Sequence, residues 1–220
     1  MKTNLQRGFP ASRTRAFSLV EILVVISIII ILTGLVVQPA MQIVNGMAVT
    51  SGGQMIQSRL AIGRQLSISR NRTVEIRFFE VPDPLSPSQS HFRLMQAWIF
   101  DANGTSPVAL DKVAVLPRGI IIESTLTGGS AAYSSTLLDS APHKGSQVIP
   151  SVGTGNYPYR AFRFRGNGST DLEPNGTGSD TWFLTVRLLT DLPSGTGTLP
   201  KNYYTLQIDP LTGQTKAFRP

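Results

Sequence analysis

Glu21 is the only charged residue between Phe17 and Val37, a run of 21 residues made mostly of isoleucine, leucine and valine. A carboxylate inside such a run costs on the order of 2.5–3.5 kcal/mol if the run enters lipid, so it needs either a partner or a way out to water. The chain also offers Asp171, Glu173 and Asn175 before Gly176, a spacing that resembles the opening of a calcium loop, with Asp180 close behind as a further oxygen ligand for a looser site. An EF-hand would need an acid where Trp182 stands, and the flanks read as strands, which leaves a looser calcium site or a plain polar hairpin loop. There is no cysteine, and His91 and His143 are the only imidazoles, neither in a zinc-type spacing. No nucleophile elbow or phosphate loop appears, so the chain is expected to be no enzyme and to hold no cofactor beyond that candidate calcium.

The elements that must position Glu21 follow from the flanks. As a helix, residues 17–37 would reach about 32 Å, close to the thickness of a bilayer's hydrocarbon. Lys2, Arg7, Arg13 and Arg15 lie before it with no acid among them; setting those four aside leaves 16 of the 20 basic residues against 13 acids, +3 of the total +7. Bases on one flank predict a single membrane span with a cytoplasmic N-terminus and the rest of the chain outside. A secretory signal cut near Ala40 is disfavoured by the length of the apolar run and by Pro39 beside the cut. Glu21 has no base within the run, and its alternatives are to snorkel toward Arg13 and Arg15 or to meet a cation from another chain.

Ala16-Phe17-Ser18-Leu19-Val20-Glu21 followed by the apolar run resembles the prepilin cleavage and methylation motif of type IV pilins and type II secretion pseudopilins. The resemblance implies that prepilin peptidase cuts between Ala16 and Phe17 and methylates the new amino terminus on Phe17. It further implies that Glu21 meets the amino terminus of a neighbouring subunit, so that the carboxylate's partner arrives in trans. Ala16 stands where the family usually has glycine, and Pro39 falls where the family has a helix-bending proline, which permits a kink. Other pilin or pseudopilin subunits are the implied partners.

Beyond the run, Met55, Ile56, Leu60, Ile62 and Leu66 share one side of an amphipathic helix, with Gln57, Ser58, Arg64 and Gln65 opposite. Gly46, Gly52 and Gly53 lower helix propensity and predict a break or fraying near residues 50–53. Period-two patterns follow: Val74, Ile76 and Phe78 against Glu75 and Arg77; residues 91–100, 112–116 and 119–123; Phe162 and Phe164; Trp182 to Leu188; Tyr204 to Ile208; and a closing hairpin through Asp209 and Gly213. Residues 124–156, rich in glycine, serine and threonine, are expected to form a flexible surface loop with His143 in it.

The predicted organisation is a leader over residues 1–16, a transmembrane helix over 17–38, its amphipathic continuation over 39–72, and a β-rich domain over 73–220. The fold class is α+β, a long helix packed on a mainly antiparallel sheet. The stretch from Ser58 to Phe78, residues 162–168 and the closing hairpin are similar to minor pseudopilins of the GspH/FimT type and to prepilin-like cassette proteins of Verrucomicrobia-type bacteria. A rival reading is an anchored binding or DNA-uptake protein acting through Arg160, Arg163 and Arg165. The basic helix residues Arg59, Arg64, Arg70 and Arg72 have no aromatic residues interleaved and read as a solvated face, so nucleic acid is not the expected partner. An Ala16→Gly chain is expected to be cut at least as fast as the natural one in membranes that hold the peptidase; a slower cut would put the site elsewhere.

Overall fold

The computed structural model describes residues 18–83, 86–124, 135–174, 182–191, 200 and 202–219, with residues 35–42 and 140 described in backbone only. Ala16, Phe17, Asn175 and Asp180, with the leader, lie outside the described residues, as does the Pro39 side chain. The chain divides into two compact units, Met1–Ile43 and Val44–Pro220. Helix α1, Leu19–Arg70, contributes to both.

In the first unit every described side chain of α1 is exposed, its large apolar residues ranging from 48% at Ile22 to 80% at Leu19. Two hydroxyls fall within this apolar stretch, and both are turned back onto the helix. Ser27 Oγ donates to the Leu23 carbonyl at 2.8 Å and Thr33 Oγ1 to the Ile29 carbonyl at 2.7 Å, so neither leaves a free donor on the apolar surface. Among the described residues no helix is long and apolar enough to cross a membrane; the apolar stretch with described side chains ends at Gly34.

The second unit carries a sheet of ten strands: β1 Val74–Pro82, β2 Ser90–Phe100, β3 Pro107–Ala109, β4 Ala114–Val115, β5 Ile120–Ile122, β6 His143–Val148, β7 Asn156–Phe164, β8 Trp182–Leu188, β9 Tyr203–Ile208 and β10 Thr215–Phe218. A short helix α2, Thr136–Ser140, precedes β6. Every pairing is antiparallel, and the order is β10-β9-β8-β5-β2-β1-β7-β6, with β3 and β4 also on β2. The α+β class and the antiparallel sheet agree with the sequence reading.

Helix α1 crosses this sheet on a buried stripe: Val49, Gly53, Ile56, Leu60, Gly63 and Ser67, spaced alternately four and three residues apart. The expected break near residues 50–53 is absent, because α1 runs unbroken from Leu19 to Arg70. The glycines are close-approach points. A Cβ on Gly53 would overlap the Tyr204 ring, one on Gly52 would come within 3.0 Å of Ile120 Cγ2, and one on Gly63 within 2.8 Å of Ile76 Cδ1. Tyr204 then donates its hydroxyl to Gln57 Oε1 at 3.0 Å. Packing thus outweighs a helix penalty of about 1 kcal/mol per glycine. Ile62, assigned to the apolar side, is 55% exposed; the adjacent Gly63 occupies the stripe.

Residues 124–156 are a second correction. Among them α2 and β6 are regular, residues 125–134 lie outside the described part, and His143 opens a strand. Strand β5 pairs with β8 only at Val186, Arg187 and Leu188, which leaves amides of β8 needing acceptors on that edge. Ser135 Oγ accepts from the Thr185 amide at 2.9 Å and Thr136 Oγ1 from the Phe183 amide at 2.8 Å, while Leu137 and Leu138 join the core. Pairing and capping of this kind leave little trace in composition.

Gly53→Ala is expected to lower stability by about 1–3 kcal/mol through overpacking against Tyr204, despite the gain in helix propensity. Gly46→Ala, whose nearest neighbours would stand at 3.6 Å and 3.7 Å, is expected to be neutral or stabilising by up to about 1 kcal/mol. Urea unfolding of the full chain in detergent, followed by tryptophan fluorescence, measures both, and an equal effect at the two positions would refute the close-approach account.

Candidate functional site

The first candidate lies in the first turn of α1. Glu21 is its one acid, exposed between Val20 and Ile22, with no hydrogen-bond or ion-pair partner among the described residues. The Ile22 amide is bonded to the Ser18 carbonyl at 3.2 Å, so the helix is formed at this point and presents the carboxylate from a fixed backbone. An acid near a helix N-terminus is favoured by the exposed amides there. This turn can accept a cation from outside the chain.

The second candidate, the arginine row of β7, divides in the structure. Arg163 Nε donates to Glu75 Oε2 at 2.7 Å, and its guanidinium lies 4.4 Å from the centre of the Phe100 ring. Glu75 Oε1 in turn accepts from Arg77 Nε at 2.6 Å. Arg77 lies 4.3 Å from the Trp98 ring centre and 4.6 Å from that of Tyr159, and donates to Gln147 Oε1 at 2.5 Å. Glu75 and Arg77, read from the period-two pattern as the polar side of β1, are only 1% and 7% exposed. The reason is topological: β1 lies inside the sheet with a second apolar cluster, Phe79, Val81, Leu94 and Ile149, on the face away from α1. Arg163 is therefore committed to the domain, which removes it from a phosphate-binding row; Arg160 is half-buried and Arg165 exposed.

On the helix, Arg59 pairs with Asp111, and Arg64 Nε donates to the carbonyls of Gly168 at 3.2 Å and Thr212 at 2.8 Å. Arg64 thus ties two loops to α1, a role beyond the solvated face read from the sequence.

The calcium-loop residues are placed as follows. Asp171 Oδ1 accepts from the Arg163 amide at 2.7 Å, and Oδ2 is 2.6 Å from His143 Nε2. Glu173 is exposed, and its backbone carbonyl accepts from Trp182 Nε1 at 3.1 Å. Asn175 and Asp180 lie outside the described residues, and among those described no three metal-ligating side chains cluster. His91 is the second residue of β2, one place after the strand begins, with Nε2 buried and without a partner among the described residues.

Two turn carboxylates are held below their ordinary pKa. The Thr105 amide is the main cause at Asp101, and the Thr212 hydroxyl at Asp209. A lowered pKa means that each contributes its turn bonds above the ordinary carboxylate range and loses them as pH falls through the lowered value.

No family model matches the chain, and a comparison with curated proteins finds none that matches. The chain is similar to two solved structures of the minor pseudopilin EpsH from the type II secretion system of Vibrio cholerae. One is 11% identical with a TM-score of 0.39, over 79% of this chain and 96% of that one. The other is 13% identical with a TM-score of 0.40, over 80% and 96%. Values this low leave the functional reading to the chain's own residues.

Glu75→Ala is expected to cost about 3–5 kcal/mol in urea unfolding, since it strands the Arg77 guanidinium among Trp98 and Tyr159. A loss below about 1 kcal/mol, the size of a surface pair, would show that the two arginines find other partners.

Proposed function

We propose that this chain is a pilin-like structural subunit, a minor pseudopilin built into a type II secretion pseudopilus or a type IV pilus. On this reading prepilin peptidase removes residues 1–16, cutting between Ala16 and Phe17, and methylates Phe17. The segment 17–38 anchors the chain once in the inner membrane, with the domain in the periplasm. The observation that carries the reading is Glu21, the one carboxylate in a formed apolar helical stretch, residues 19–34, whose side chains are all exposed, at the fifth position of the chain the cut would release.

The physical argument has two parts. An exposed surface of isoleucine, leucine and valine of this extent is stable only when lipid or other helices cover it. The Glu21 carboxylate inside that cover needs a cation, and proteolysis makes one at the amino terminus of each mature subunit. Apolar contact then supplies association, the charge pair supplies register, and an unmatched pair penalises a slipped neighbour. The sheet domain is left to display a surface toward partners.

The test is Glu21→Ala in cells that carry the assembly machinery. Membrane insertion and removal of residues 1–16 are expected to persist, while recovery in sheared filaments or in crosslinked subunit ladders falls by about tenfold or more, the scale of losing one buried charge partner. N-terminal sequencing of the mature chain is expected to begin at N-methylated Phe17. Full incorporation of the alanine variant, or of chains that keep residues 1–16, would overturn the proposal.

A further inference from the structure

Four Asn-x-Ser/Thr triplets occur in the chain, beginning at Asn71, Asn103, Asn167 and Asn175, and each has the minimal form of an acceptor for N-linked sugar. The structure separates them. Asn71 closes α1 with φ 47°, and Thr73, two residues on, leads into the buried Val74 of β1 and accepts the Phe100 amide through its carbonyl at 3.0 Å. Drawing that triplet into another protein's cleft would pull on the centre of the sheet. Asn167 has its Oδ1 occupied by the Ser169 amide at 3.0 Å and hydroxyl at 2.7 Å, and the Gly168 that follows is buried beneath Arg64 and Ile68. Asn175 lies outside the described residues.

Asn103 differs on each count. It stands in the exposed run Ala102–Ser106 that joins β2 to β3, next to Gly104 at φ 71°, and its side chain makes no hydrogen bond among the described residues. The loop is closed beneath it by the Asp101 amide on the Ser106 carbonyl at 3.2 Å and the Gly104 amide on the Asp101 carbonyl at 3.1 Å. Asp101, two residues before Asn103, and Thr105, two residues after, are drawn together. Asp101 Oδ1 accepts the Thr105 amide at 2.8 Å and Oδ2 the Thr105 hydroxyl at 3.0 Å. The carboxylate and hydroxyl thus flank the protruding amide as one exposed unit. Because these bonds already face water, exchanging them for groups of a transferase costs little.

We propose that Asn103 is an acceptor for N-linked glycosylation, with a polyprenyl-diphosphate-linked saccharide as donor. Asn103 Nδ2 forms a bond to C1 of the saccharide, the C1–O bond to the diphosphate breaks, and the polyprenyl diphosphate leaves with the electron pair. The proton lost from Nδ2 passes to a base of the transferase. Thr105 supplies the hydroxyl that the transferase reads, and Asp101 supplies an anion for it to hold. A sugar on this loop would lie at the exposed β2–β3 turn. The inference rests on the domain being exported, as proposed above.

The test has two arms. The full chain, purified in detergent, is incubated with a bacterial oligosaccharyltransferase and its undecaprenyl-diphosphate-linked oligosaccharide, beside a known acceptor peptide; the same transferase and donor are also co-expressed with the chain in cells. Peptide mass spectrometry is expected to show the saccharide's mass on Asn103 in both arms, lost in Asn103→Gln and Thr105→Ala and retained in Thr105→Ser. Glycan in the purified arm and none in cells supports the acceptor site and overturns the export reading. An unmodified Asn103 in the purified arm while the peptide is glycosylated overturns the acceptor site, as does the mass shift of amide hydrolysis alone. Equal glycosylation of Asn71 or Asn167 overturns the structural distinction among the triplets.

Discussion

The contact on which the domain depends is the one between the α1 stripe and the sheet, made at side chains that are missing. Gly52, Gly53 and Gly63 let the helix backbone come down onto Ile120 of β5, Tyr204 of β9 and Ile76 of β1, every second strand across the middle of the sheet. Between them Ile56 and Leu60, both fully buried, fill the space the close approach leaves. Glycines flank the large pair Ile56 and Leu60, and Val49 packs beyond Gly53, so small and large residues alternate to fit the twisted sheet surface. The loops after β7 and β9 are then drawn to the same helix by Arg64.

The same helix has a different task in its first unit. From Ile22 to Ser58 α1 carries no charge, and Arg59, the first to follow, is paired with Asp111. Where the helix meets the sheet its uncovered side is mixed: Ser51, Gln54, Ser58, Gln65 and Ser69 are interspersed with Ile62, Ile68 and Arg70. Residues 19–34 instead expose branched aliphatic chains with their few hydroxyls turned inward. One continuous backbone therefore carries a surface suited to water and a surface suited to hydrocarbon, and Glu21 is the exception within the second.

Much of this could be read from the chain before its fold was known, where the physics is local. Alternation marked β1, β2, β7, β8 and β9, because a strand's faces differ whenever one meets a core. Asp209 and Gly213 marked the last turn through side-chain bonding and positive φ. What escaped was non-local. Glycines at 52, 53 and 63 read as weak helix formers until the rings and methyls opposite them were visible. Strand β6, with lysine, glycine and serine at its centre, owes its conformation to β7, and Glu75 with Arg77 looked like a wet face until Trp98, Tyr159 and Arg163 were seen against them. The site was legible only in part: Glu21 stood out by its setting, whereas the partners of Arg163 and Asp171 required the fold.

The alternating stripe also limits how this domain can change through descent. One added or deleted residue between Gly53 and Gly63 would turn everything beyond it by about 100° about the helix axis, moving a glycine off its mate and bringing a bulkier neighbour into its place. Substitutions along the uncovered side meet no such barrier, and loop lengths between strands can drift with little cost. Diverging descendants should accordingly preserve the interval between these two glycines long after their sequences have ceased to resemble one another.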